Sequence, residues 1–415
     1  MGRASTVLAS KINMSIFTSK QILLGVTGSI AAYKSAHLAS QLIQAGALVD
    51  VVLTAGAEKF VTPLTFQSVT GRKAYTDADL WGGDAHVLHV GLGHGTDLVV
   101  IAPCTANTLA KLAHGLADNL LTITALAARC PILVAPAMDA GMFEHPATQD
   151  NVRVLTERGV TFAGPVEGRM ASGLVGRGRF VEPVELLGHI RMLMGRGGRL
   201  AGRKIVVTAG GTQEPIDPVR VLTNRSSGKQ GYALAQAAVD AGGIVVLIST
   251  PTSLVPPVGV RVVPVQTAEE MKDSVLAESA DADGLVMAAA VADFRPKQAA
   301  VSKLKKQDGI PQLELEAAPD VLSAVADIRS GKPRRVIGFA AESRDLLKNA
   351  ESKLESKKLD MIVANDISAS DAGFGVDTNR VTLLFADGRK QPLPLMGKDE
   401  VAETVIEQLA KLLET

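Results

Sequence analysis

Net charge is missing from this 415-residue chain, in which 43 basic side chains balance 43 acidic ones. The surface as a whole gives no reason to bind a nucleic acid or an anionic membrane, so the expected anions are small ones held by local basic clusters. Cysteine is nearly missing too. Cys104 and Cys130 are too few to frame a chain of this length with disulfides, and both lie beside apolar strand-like runs, which suits a reducing cytoplasm. Long hydrophobic runs are absent: 97–102 and 131–135 are strand-sized, against the ~20 residues of a membrane helix. Two nucleotide signatures are also lacking. The turn at 25–34 has no GxGxxG spacing, and around Gly228-Lys229 a P-loop would need glycine at Thr223 and a hydroxyl at Gln230.

What is present is an ordinary globular composition, 47% hydrophobic, long enough for two or three domains. Two segments read as fresh starts of an α/β domain, each an apolar strand running into glycine and then a helix: Gln21–Gly28 and Lys204–Gly211. Between them, 195–202 is rich in glycine and arginine and lacks apolar periodicity, as a linker does. The expected division is an N-terminal extension at 1–19, domains at 20–194 and 203–415, and that linker. The extension has no acids in its first 20 residues and carries Arg3, Lys11 and Lys20. It reads as a tail or an upstream start before Met14, with a fainter transit-peptide character.

Strand-like runs at 22–26, 49–53, 98–102 and 131–135 alternate with helical patterns at 30–45, 107–128 and 147–158. The second half repeats this with strands at 204–208, 244–248, 285–289, 335–339 and 361–364, and helices at 229–241, 268–279, 319–327 and 343–357. Such alternation predicts βαβ units and parallel sheets, whose ligands gather beyond the strands' carboxyl ends. In the first half the polar segments 27–29, 103–107 and 136–139 follow strands and are expected to meet in one crevice. Gly28 allows a tight turn there, and Ser29 opens a helix. That segment alone is equally a phosphate cradle, for a mononucleotide, or a capped turn.

Read together, these strand ends resemble the flavin-containing cysteine decarboxylases, and specifically the phosphopantothenoylcysteine decarboxylase half of a bifunctional coenzyme A enzyme. The likeness runs from residue 20 to about 190. It rests on Gly28-Ser29-Ile30-Ala31-Ala32-Tyr33-Lys34, Thr54, Ala102-Pro-Cys-Thr105-Ala-Asn107, Pro136-Ala-Met-Asp139 and the glycine-rich 173–179. The resemblance implies a flavodoxin-like FMN domain, with Gly28, Ser29, Ile30, Thr54, Thr105 and Asn107 at the cofactor. The family's active-site histidine falls on His89. By the same likeness the substrate is 4'-phosphopantothenoylcysteine, whose thiol carbon is oxidised by FMN before carbon dioxide leaves and the reduced flavin restores the product. An imidazole exchanges protons near neutral pH, as a base beside the thiol must.

Two positions depart from the pattern. Asp139 stands where the family has an asparagine for the substrate carboxylate, and two carboxylates ~4 Å apart repel by about 4 kcal/mol at an effective dielectric near 20. Ser172 stands where the family commonly has a cysteine donor, and a hydroxyl is a far weaker acid than a thiol of pKa ~8.5. The expectation is an active variant in which Ser172, water or Asp139 delivers the last proton. The alternative is an active ligase fused to an impaired flavoprotein scaffold.

The second half carries Asp217-Pro-Val-Arg220, then Thr223-Asn224-Arg-Ser-Ser-Gly-Lys-Gln-Gly231, a dense set of donors opening a helix. Further on come Ala288-Ala289-Ala-Val-Ala-Asp293, the basic run Lys303-Leu-Lys-Lys306, and Lys353 with Lys357 four residues apart on one helix face. A solvated charged face is the plain meaning of that last pair. Together these segments resemble the phosphopantothenate–cysteine ligases over roughly 203–412. The resemblance implies a Rossmann-like domain, so the chain is expected to be α/β with two doubly wound domains. It implies a CTP site of Met287, Ala288, Ala289, Asp293, Lys303, Pro319, Asp320, Val321, Leu322, Phe339, Lys353 and Lys357. Asn224 would lie at the acyl group of a cytidylate intermediate and Arg220 near the pantothenate side, with Mg²⁺ assisting. The substrates implied are 4'-phosphopantothenate, cysteine and CTP. Assembly as a homo-oligomer, up to a dodecamer, follows from the likeness as well.

Overall fold

The computed structural model describes residues 15–81, 87–171, 173–305, 311–329, 331–342, 345–366 and 376–414. It divides into two compact units between Met194 and Gly195.

In the first unit, six parallel strands form one sheet: β1 (Gln21–Val26), β2 (Leu48–Leu53), β3 (Ala74–Tyr75), β4 (Leu98–Cys104), β5 (Ile132–Pro136) and β6 (Thr161–Phe162). Their order is β3-β2-β1-β4-β5-β6, doubly wound, with the switch point between β1 and β4. Strand residues of one parity pack on α1 (Ala32–Gln44), α2 (Pro63–Thr70) and the later helix α8 (Pro183–Gly195), Leu24 and Val51 among them. Residues of the other parity, such as Leu23 and Val99, pack on α3 (Leu88–His94), α4 (Ala106–His114), α5 (Leu120–Ala127) and α7 (Pro146–Glu157). A strand's period of two thus dresses both faces. The remaining elements are the short α6 (Ala140–Glu144), an antiparallel pair, β7 (Val166–Arg169) with β8 (Val175–Arg179), and α8 (Pro183–Gly195).

The expected helix over 107–128 is two helices. Gly115 ends α4 in the left-handed conformation at φ 69°, and Asn119 caps α5 by accepting from the Thr122 amide. The expected extension also ends early, because Phe17 is fully buried in the first core.

The second unit is built on one eight-stranded sheet with three short two-stranded ones beside it. Along the chain its elements are β9 (Lys204–Ala209), β10 (Gln213–Pro215), β11 (Val221–Thr223), α9 (Lys229–Asp240), β12 (Ile244–Ser249), β13 (Arg261–Pro264) and α10 (Ala268–Ser279). Then come β14 (Gly284–Met287), β15 (Phe294–Pro296), β16 (Leu315–Ala317), α11 (Val321–Ile328), β17 (Arg335–Glu342), α12 (Leu346–Ser356) and β18 (Met361–Asp366). The chain ends in β19 (Thr378–Asn379), β20 (Val381–Phe385), β21 (Lys390–Pro392), β22 (Met396–Gly397) and α13 (Lys398–Glu414). The large sheet has the order β13-β12-β9-β14-β17-β18-β20-β21, in which the first six strands run parallel and β20 and β21 extend it antiparallel. One face buries α10, α11 and α12. On the other, α9 lies on β9 and β12 and packs along α13.

Residues 195–202, expected as a linker, belong to this second unit. Leu200 is fully buried, its amide donates to the Ala241 carbonyl, and a side chain at Gly198 would meet that same carbonyl at 2.4 Å. The glycines there reflect close backbone packing, not slack. Among the described residues no helix is long and apolar enough to cross a membrane.

Candidate active sites

In the first unit the ends of β1, β4 and β5 do meet. The fully buried Thr27 hydroxyl donates to the Pro103 carbonyl at 2.7 Å and accepts from the Thr105 amide at 3.1 Å. The Ala137 amide in turn donates to the Cys104 carbonyl. Thr105 caps α4 by accepting from the Thr108 amide, which leaves Asn107 exposed on the first helical turn. Sequence reading placed Thr27 only within a polar strand end. Its signal, a hydroxyl directly after the apolar run of β1 at the switch point, was there to be weighted.

Gly28 and Thr54 come together across the β1–β2 boundary. A Cβ on Gly28 would lie 2.9 Å from the Gly56 carbonyl carbon, so only glycine lets the two loops touch. Thr54 donates its amide to Val26 and accepts from the Ala57 amide. Ser29 accepts from the Ala31 amide, and α1 begins with no side-chain cap on its N-cap residue. Ile30 stands exposed above this cradle. Two helix N-termini, α1 and α4, therefore open at the sheet's carboxyl edge with backbone N–H groups and hydroxyls between them. That donor set fits a phosphate-bearing flavin.

His89 lies on the first turn of α3, half-buried. The far end of α3 leads to Thr96 and Asp97, both bonded to the Gln21 carbonyl at the start of β1. The helix thus runs against the strands, and its first turn points toward their carboxyl ends. Asp139 is the N-cap of α6, accepting from the Gly141 amide at 3.1 Å. That is a capping role an asparagine would fill equally well. The adjoining β8 presses close: a Cβ at Gly178 would meet the Met138 carbonyl at 2.4 Å. Ser172 lies outside the described residues, as does His86. Burial pushes the Cys104 thiol up, so it stays neutral in the core.

In the second unit a cavity of about 780 Å³ opens beyond the carboxyl ends of β9, β14, β17 and β18. Its wall includes Asn224, Met287, Ala288, Ala289, Asp293, Pro319, Asp320, Val321, Leu322, Phe339, Lys353 and Lys357. Every residue expected at CTP except Lys303 is there. Again a buried threonine ties the switch point: Thr208 accepts from the Ala288 and Ala289 amides at 3.1 and 3.0 Å. Those bonds turn the backbone out of the sheet, which is why β14 stops at Met287 and not at 289.

Lys353 and Lys357 are not a solvated face. Lys353 donates to the Phe339 carbonyl at 3.3 Å, and Lys357 pairs with Asp320 and the Ser323 hydroxyl. Burial works against ionisation of Asp320, yet Lys357 and the Ser323 amide outweigh it and hold that carboxyl below the usual range. Asn224 donates to the Ala290 and Val291 carbonyls. Gly228, left-handed at φ 77°, opens α9 beside it.

Arg220 and Lys303 do not line the cavity. Asp217 holds them in a separate arrangement: it accepts from the Val219, Arg220 and Leu304 amides and pairs with the Arg220 guanidinium at 3.1 Å. Arg220 also donates to the Leu304 carbonyl, so it fastens the loop that carries the exposed Lys303. Sequence reading held Lys229 and Gln230 only within the donor-rich segment 223–231 and did not single out Asn365, Asn379 and Lys398; all five are on the cavity wall. Three of them sit at or beyond the end of β18, in segments without a strong motif. Among the described residues, no group of three or more His, Cys, Asp and Glu is arranged to hold a metal ion.

Comparison with known proteins covers both units. Residues 13–195 match the family model described as Flavoprotein, and 200–413 match the DNA/pantothenate metabolism flavoprotein C-terminal domain. The Coenzyme A biosynthesis bifunctional protein CoaBC of Bacillus subtilis (strain 168) is 44% identical over 400 residues, covering 96% of this chain and 98% of its own. The protein of that name from Mycobacterium tuberculosis (strain ATCC 25618 / H37Rv) is 44% identical over 408 residues, covering 95% and 97%. A solved structure, the C-terminal domain of a Coenzyme A biosynthesis bifunctional protein CoaBC, is 39% identical. It spans 52% of this chain and 99% of its own, with a TM-score of 0.45.

Proposed function

The chain belongs to the family of the Coenzyme A biosynthesis bifunctional protein CoaBC, and from that premise we propose how its two sites divide the work. It is both a phosphopantothenate–cysteine ligase and a phosphopantothenoylcysteine decarboxylase, and its first unit is a flavoprotein that uses FMN. The first product is the second substrate.

In the second unit, CTP lies in the 780 Å³ cavity. The gathering of Asp293, Pro319–Leu322, Phe339, Lys353 and Lys357 on one wall is the observation that carries this reading. A carboxylate oxygen of phosphopantothenate attacks the α-phosphorus, pyrophosphate leaves, and an acyl-cytidylate forms. Cysteine's amine then attacks the acyl carbon, and CMP departs with the C–O electrons. Asn224, on giving up a carbonyl contact, would serve the developing acyl oxyanion; Lys303, carried in by its loop from outside the cavity wall, would offset charge on the phosphates, as would Mg²⁺ brought with the nucleotide. Arg220, by fixing the Lys303 loop, serves the pantothenate side.

In the first unit, Gly28, Ser29, Ile30, Thr54, Thr105 and Asn107 would hold FMN, with the phosphate at the N-terminus of α1. When bound, the flavin supplies a two-electron acceptor for the thiol-bearing carbon. His89 takes the thiol proton. Asp139 shares one proton with the substrate carboxylate or a neighbouring donor, since two bare carboxylates repel. Ser172, a water or Asp139 returns the last proton. The cytoplasm suits this chemistry, and the active form is a homo-oligomer.

One coupled assay tests the scheme. Phosphopantothenate, CTP, cysteine and Mg²⁺ should yield the amide and carbon dioxide in sequence. Lys303→Gln should abolish amide formation while supplied phosphopantothenoylcysteine is still decarboxylated. Ligation persisting in that variant rejects the lysine's role, and absence of carbon dioxide from the parent protein rejects an active flavin site.

A further inference from the structure

The cavity has a second wall that the nucleotide residues do not use. Asp320, Lys353 and Lys357 come from the α11 and α12 side of the sheet, whereas Lys229 and Gln230 begin α9, Lys398 begins α13, and Asn379 lies on β19. These last elements cover the opposite face, and Asn365 at the end of β18 faces the same space.

A chain of amide bonds organises this wall. The Gln230 Nε2 donates to the Lys398 carbonyl at 3.0 Å, the Asn379 Nδ2 to the Gln230 Oε1 at 2.8 Å, and the Asn365 Nδ2 to the Asn379 Oδ1 at 3.4 Å. Because the chain starts at a backbone carbonyl, which only accepts, each amide is fixed in one orientation. The Asn365 Oδ1 must then point away from Asn379. It is buried and accepts no hydrogen bond from any described residue. Leaving a buried acceptor unpaired is costly, so the site calls for a donor.

Two ammonium groups share the wall with that acceptor. Lys229 pairs with Asp377 at 2.6 Å, and Lys398 is only 8% exposed. The wall therefore sets two ammonium groups, one of them paired with Asp377, beside one orphan acceptor. A phosphate answers the charge but brings no donor once ionised. An α-amino acid answers both.

Resting on the ligase reading above, we propose that Lys229, Asn365 and Lys398 form the seat of the incoming amino acid, the two lysines holding its carboxylate and the Asn365 Oδ1 its amino group. Gln230 and Asn379 are positioning residues that aim Asn365. Burial, reinforced by Lys229 and opposed by Asp377, holds the Lys398 ammonium below the ordinary lysine range. An arriving carboxylate would restore it.

The test uses the full-length protein with two variants, Lys398→Gln and Asn365→Ser. Exchange of labelled pyrophosphate into CTP, dependent on phosphopantothenate and run without cysteine, reads activation alone. Amide formation reads both steps. Each variant should raise the KM for cysteine about tenfold or more, the loss of a charge-assisted hydrogen bond, while the KM for CTP in exchange stays within about twofold. Cysteamine lacks the carboxylate, so the parent's preference for cysteine over cysteamine should collapse in Lys398→Gln and return in Lys398→Arg. A raised KM for CTP with cysteine unaffected overturns the proposal and makes the wall a phosphate seat. Loss of exchange in both variants overturns it equally. A parent protein with no exchange rejects the cytidylate reading itself, a separate failure.

Discussion

Single residues in the first unit separate what holds the fold from what holds the ligand. Gly28 is needed because its neighbour is the Gly56 backbone, which cannot swing aside as a side chain can. Gly28→Ala should therefore cost about 1–3 kcal/mol by overpacking and release the flavin, seen as loss of its visible absorbance after gel filtration. Asp139→Asn is the opposite case. The helix cap is kept, so stability should move by no more than about 0.5 kcal/mol, while removing the charge should lower the KM for phosphopantothenoylcysteine. An unchanged KM would mean that the substrate carboxylate lies elsewhere. The same residue shows the limit of sequence reading. Asp139 was legible as an electrostatic conflict, but its service to the Gly141 amide depends on a short helix that no periodicity announces. Lys353 and Lys357 show it differently. Their spacing fits a solvated face, and only the position of α12 beside β17 reveals that they bind a carbonyl and a carboxylate.

Elements were most readable where apolar runs were long. The parallel core strands of both sheets stand within a few residues of their expected places because a strand buried on both faces needs an unbroken apolar run. Hairpins and edges were not readable. The pair β7–β8 is built on 166–179, glycine-rich and half-exposed, and β20–β21 ends in exposed polar residues. In such segments the partner strand decides the structure, not the local sequence. At this scale α11 offers a test. Asp320 caps it by accepting from the Ser323 amide at 2.9 Å and also pairs with Lys357. Its folded-state pKa is lowered, so its contribution is complete above the unfolded value near 3.9 and fades as pH falls through the folded one. Asp320→Asn keeps a capping oxygen. It should destabilise the second unit modestly at neutral pH, since the group is half-exposed and screened, and leave stability unchanged at the acid end. Denaturant midpoints followed against pH give the comparison, and a difference that persisted below that range would remove the carboxylate's charge as its cause.

For the whole molecule, core clusters that each stay within one unit imply two separate stabilities. A ligand present at a hundredfold excess over its Kd adds about 2.7 kcal/mol to the unit that binds it. Calorimetry should accordingly show FMN raising one transition and CTP the other. A single transition raised by both would require the two units to unfold as one. Each unit also places a buried threonine at its switch point, Thr27 in one and Thr208 in the other, with a hydroxyl that receives the amides of the facing loop. Those loops are thus fixed before any ligand arrives. The backbone amides of Thr105, Ala288 and Ala289 should exchange with deuterated solvent slowly in the empty protein, and hardly more slowly in the loaded one. Little conformational entropy then remains to be lost at either crevice. Selectivity for each ligand would be expressed in how quickly the wrong one departs, with little difference in how readily it enters.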